Sequence, residues 1–159
     1  MIEPVSFFLL KLRERTDEWR AIEDLVDAVQ RNVRAGDREA AAAAYMGFWI
    51  GPKNWEMTPE KAKAGIMATM DKVNSEFQTA KNLEGQSLAN VAALQMPALF
   101  IQGELSPQPS RAVVDILSSL LPQARVETVT GAGHMSPITH RDAINGLVCA
   151  HIAECVPGA

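Results

Sequence analysis

The amino-acid sequence predicts an α/β chain in which a mostly helical block is followed by a β-α-β-α unit of a parallel sheet. Three observations lead there. Apolar residues between positions 16 and 94 recur at helical spacing. Residues 98–102, Ala-Leu-Phe-Ile-Gln, form a short continuous apolar run stopped by Gly103, the pattern of a strand buried on both faces. Residues 126–130 alternate apolar and polar with a β-branched bias, and Gly131-Ala132-Gly133 then breaks the chain and hands on His134.

Taken in order, residues 1–5, Met-Ile-Glu-Pro-Val, fit the end of a strand, because Pro4 has no N–H to continue a ladder. Residues 7–12 suit a short helix. A longer helix runs to Arg34, with Thr16 or Asp17 as its cap, Ile22, Leu25, Val26, Val29 and Val33 on one face, and Gly36 placed to end it. Residues 38–49 are alanine-rich and helical by propensity, and Gly51-Pro52 stops them. Thr58 with Pro59 marks another helix start, and that helix is expected to reach Phe77 with Met67, Met70, Val73 and Phe77 as its apolar stripe. A short helical turn spans 87–94. After the strand at 98–102, residues 107–121 read as a helix with Val113, Leu117, Leu120 and Leu121 inward, and residues 141–155 as the last helix.

A net charge of −4 with scattered Lys and Arg argues against nucleic acid as a partner, since phosphate binding needs a basic surface. Cys149 and Cys155 are six apart, which on a helix points them to different faces, so a reduced, cytoplasmic chain is expected. The three histidines lie at 134, 140 and 151 without metal-ligand spacing, so neither a metal nor another cofactor is expected. The amino terminus does not read as a signal peptide. The apolar stretch at 7–10 is far too short to cross a bilayer, so no membrane partner is expected.

Two parallel strands and a stub make a very small sheet, and parallel sheets are stable when their neighbours are present. The unpaired edge implies a homo-oligomer, a dimer in the simplest case, or a complementing piece of a larger protein.

The run Met96-Pro-Ala-Leu-Phe-Ile-Gln-Gly-Glu-Leu-Ser-Pro107, followed by Gly131-Ala-Gly-His-Met-Ser-Pro137, resembles the carboxyl-terminal part of an α/β-hydrolase. The resemblance implies a partial α/β-hydrolase fold: residues 1–5 as the end of its sixth strand, 6–94 as a helical cap or lid, and 95–159 as the closing segment of the core. It also implies a nucleophile, an acid and a histidine in that chain order. His134 matches the histidine, whereas its plainer reading is a polar loop residue bonded to nearby backbone. No serine stands in a Gly-x-Ser-x-Gly elbow, and in the family's order the elbow would precede residue 1. Where members commonly carry an Asp after the seventh strand, this chain has Ser106. A carboxylate at the end of the sixth strand is the family's other option and maps to Glu3, the first choice for the acid. Glu104 is the second, with a solvated turn residue as its alternative. Ser106 is read as a hydrogen-bond partner of His134, either as a neutral stand-in for the acid or as a makeshift nucleophile. Ser136 and His140 are read as starting or capping the final helix.

Two functions follow. One is a serine-type, esterase-like hydrolase of small apolar esters, incomplete as a single chain, with Phe48, Trp49, Trp55, Met67 and Met70 lining an acyl pocket. For that methionine and aromatic stripe the alternative is plain core. The other is a non-catalytic fragment or module that oligomerises through its sheet edge.

Overall fold

The computed structural model describes residues 1–80 and 88–155. The chain divides into two compact units, Arg15–Gly85 and a second made of Met1–Glu14 with Gln86–Ala159. The division falls at 14/15 and 85/86, so the first short helix and the stretch before the sheet belong with the sheet and not with the helical block. That first helix, α1 (Phe8–Leu12), buries Leu9 and Leu10, and Glu14 at a φ of 54° turns the chain out of it.

The helical unit begins with α2 (Thr16–Arg34), which buries Ile22, Leu25, Val26 and Val29. Thr16 and Asp17 lie inside it and Arg15 takes the cap position without a side-chain bond, so neither expected residue is the cap. Gly36 ends the helix at a φ of 76°, with its N–H on the Val33 carbonyl at 3.0 Å and the Asp37 N–H on that of Asn32 at 2.9 Å, the paired bonds of a Schellman closure. Asp37 then caps α3 (Arg38–Ile50) by accepting from the Ala40 N–H at 2.8 Å. After α4 (Pro52–Glu56), Thr58 donates back to the Asn54 carbonyl at 2.9 Å, and the cap of α5 (Glu60–Met67) is Pro59 without a side-chain bond. The single helix expected up to Phe77 is therefore two, α5 and α6 (Met70–Ala80). At the break, the Thr69 N–H and hydroxyl both bond the Ile66 carbonyl, at 2.9 and 2.7 Å, and local bonding of this kind competes with helix continuation. Ala41, Ala42, Trp55 and Met70 form the buried centre of this unit.

The sheet unit contains α7 (Leu88–Ala92), whose expected start at Ser87 lies outside the described residues. Strands β1 (Ala98–Gly103) and β2 (Ala124–Val129) pair in parallel from Ala98 with Ala124 to Gly103 with Val129, connected by α8 (Gln108–Leu120). Leu99, Phe100 and Ile101 are all buried, so both faces of β1 are covered, as its unbroken apolar run requires. One face holds Leu99, Ile101, Val129 and Ala132 against Ile144, Leu147 and Val148 of α10 (Arg141–Cys155). Helix α8 packs against both strands and against α1. On the far side of β1, Ile2 forms one isolated parallel bridge with Ile101, so the stub adjoins the edge of the two-stranded sheet. Among the described residues no helix is long and apolar enough to cross a membrane.

Candidate functional site

Two loops meet at the carboxyl ends of the strands, the edge where open α/β sheets carry their chemistry. The turn after β1 and the loop after β2 are stitched together by backbone bonds: Glu104 N–H to the Val129 carbonyl at 3.0 Å, and Leu105 N–H to that of Ala132 at 2.8 Å. Gly103 makes this approach feasible, since a Cβ there would sit 2.3 Å from the Ala132 carbonyl oxygen. Gly131 turns the second loop at a φ of 70° and donates its N–H to Glu104 Oε2 at 2.8 Å. Glu104, the second choice for the acid, thus pins the glycine loop.

The first choice stands opposite the histidine. Glu3 has a φ of 47°, in the left-handed region that a side chain disfavours, and its N–H is held by the Ile101 carbonyl at 2.9 Å. From there its carboxylate enters the sheet edge, with 3% of the side chain exposed against 18% for His134. Glu3 Oε2 lies 3.1 Å from His134 Nδ1. The other oxygen, Oε1, accepts from the Gly103 N–H and from the Ser106 hydroxyl, the latter at 2.8 Å. Groups 100, 103 and 131 residues further along the chain thus converge on one buried carboxyl group. As a carboxylate it can only accept, so Nδ1 of the histidine is the donor, and Nε2 is the ring atom suited to exchange a proton with a reacting group.

No family model matches the chain. It is similar to a polyketide synthase, ThaQ, of Burkholderia thailandensis, with 34% identity over 71 residues. That match covers 45% of this chain and 3% of the synthase, so the chain spans a very small part of the relative it resembles.

Ser106 is buried, and its hydroxyl donates to Glu3, the residue that itself contacts His134. The signal that sequence reasoning lacked is the Gly103 amide, a backbone donor with no side chain to announce it. Ser136 is fully buried at the start of a single turn, α9 (Ser136–Thr139), and the His140 carbonyl accepts the Ile144 N–H at 3.1 Å where α10 begins. The five residues expected to line an acyl pocket all lie in the helical unit. Trp55 and Met70 are in its core with Met67 packed against them, and Trp49 is buried edge-on to Phe48 at 4.9 Å between ring centroids. Trp55 and Met70 are buried side chains of that core. Among the described residues no group of three or more His, Cys, Asp or Glu is placed to hold a metal ion.

Proposed function

We propose that this chain is the histidine-bearing part of an α/β-hydrolase-like, serine-type hydrolase of small apolar esters, with Glu3 orienting His134 as the general base. The observation that carries the reading is the 3.1 Å contact between a buried carboxylate and the ring nitrogen of a part-exposed histidine at the carboxyl end of a parallel sheet. Such a pair holds the imidazole in one orientation and stabilises the imidazolium that forms when a nucleophile gives up its proton. The Ser106 hydroxyl donates to the Glu3 carboxylate at 2.8 Å, so its proton is directed at the acid. The nucleophile and the oxyanion donors come from another segment or a partner chain, so hydrolysis by the isolated chain is slow. The slow hydrolysis of a short-chain nitrophenyl ester is expected to drop to the uncatalysed rate in His134→Ala. Equal rates for the two proteins remove the proposal.

A second reading, a non-catalytic module that pairs through its sheet edge, has its own support. The stub meets β1 through one bridge at Ile2, and beside it lies a cavity of about 320 Å³ lined by Met1, Leu94, Met96, Phe100 and Leu121. Met1, Leu94 and Met96 are exposed, an arrangement suited to further pairing. Light scattering at micromolar concentration tests this reading: a dimer favours it, and a monodisperse monomer counts against it.

A further inference from the structure

We propose that Ser106 is a positioning residue whose hydroxyl fixes the plane of the Glu3 carboxylate and thereby the tautomer of His134. The proposal rests on reading Glu3 and His134 as an acid–base pair. The terminal torsion of a glutamate is broad, so nothing within Glu3 itself dictates which way its two oxygens face. Two donors on Oε1 do: the Gly103 N–H comes from the end of β1, and the Ser106 hydroxyl comes from the turn after it, at 2.8 Å. With Oε1 held at two points, Oε2 is left facing Nδ1 at 3.1 Å. The side chain is 3% exposed, so bulk water is a poor substitute for either donor.

The same geometry explains why a serine suits this position. A carboxylate at 106 would lie within hydrogen-bonding distance of Glu3, and two carboxylates that close cannot both ionise. The serine at 106 supplies a neutral donor to the acid where a second carboxylate would repel it. The carboxylate on Nδ1 keeps that nitrogen protonated and leaves Nε2 as the basic site, because the hydrogen bond at one ring nitrogen sets the state of the other.

Ring nitrogen NMR of the ¹⁵N-labelled full chain reads this directly, at roughly pH 8 where an ordinary imidazole is neutral. His134 is expected as the Nδ1–H tautomer in the wild type. In Ser106→Ala the ratio of Nδ1–H to Nε2–H is expected to fall about tenfold, the worth of one hydrogen bond to a charged group. Ser106→Thr keeps the hydroxyl and the wild-type ratio. Ser106→Cys fills the space with a weak donor and loses the ratio as the alanine variant does, which preserves the test if the alanine variant does not fold. A wild-type ratio in folded Ser106→Ala or Ser106→Cys overturns the proposal, as does an Nε2–H ring in the wild type. No turnover is needed, so a failed esterase assay and a failed positioning role give different results.

Discussion

Replacing Gly103 with alanine tests the junction that brings Glu3, Ser106 and His134 together. The added Cβ would lie 2.3 Å from the Ala132 oxygen, 2.7 Å from the Ala132 carbonyl carbon and 2.9 Å from the Gly133 oxygen. These are backbone atoms of the loop that carries His134, so relief requires the loop to retreat by about 1 Å, since carbon atoms pack comfortably only at about 3.5–4.0 Å. Retreat strains the Leu105-to-Ala132 bond of 2.8 Å and draws His134 away from Glu3. Overpacking of this kind costs about 1–3 kcal/mol. At this chain length each kcal/mol lowers the melting temperature by roughly 2–4 °C. Gly146 in α10 is the matched control: a Cβ there meets nothing within 4 Å. Gly146→Ala should therefore stabilise by about 0.5–1 kcal/mol through helix propensity alone. Urea unfolding followed by far-UV circular dichroism measures both. The same chemical change is expected to carry opposite signs at 103 and 146, and a neutral or stabilising Gly103→Ala would refute the close-approach argument.

The other predictions concern the acid, the helical core and its tyrosine. Glu3→Gln is expected to lower ester hydrolysis at least about tenfold, by the loss of charge behind the imidazolium, whereas Glu104→Gln stays within roughly twofold in the same assay. Met70→Ala removes a fully buried side chain and should destabilise the helical unit by about 2–5 kcal/mol, read by tryptophan fluorescence because Trp19, Trp49 and Trp55 all lie in that unit. Burial raises the Tyr45 hydroxyl above its ordinary value of 10.0. Its contribution to stability is therefore complete below that value and is lost as pH rises through the higher folded value, a decline in unfolding midpoint that Tyr45→Phe should abolish.

The parallel pair, its connecting helix and the histidine loop are legible in the sequence because each is encoded locally. An apolar run ending at Gly103, an alternating run ending at Gly131 and helical periodicity between them are enough. The helix boundaries were harder, since Thr58 and Thr69 bond backwards to carbonyls of the preceding turn, and a threonine reads the same in sequence whether it caps forward or backward. Glu3 was placed in the site by resemblance and not by any local signal. Its partners lie 100, 103 and 131 residues away, and one of them is a backbone amide. The apolar face of the helical block shows the converse limit. Periodicity marks an apolar face without revealing whether a neighbouring helix fills it, and at Trp55 and Met70 one does.

The attachment of the first three residues has a consequence for the site as well. Beyond the carboxylate's own bonds, the stub is held to β1 by the Met1 amine on the Leu99 carbonyl, the Ile101 N–H on that of Met1, and the Glu3 N–H on that of Ile101. These bonds hold Glu3 in a conformation that a side chain disfavours, so the placement of the carboxylate depends on the edge of β1 and not on the local preference of the chain. The edge of the sheet is thus part of the site: the same backbone groups that extend the ladder beyond β1 deliver the carboxylate to His134.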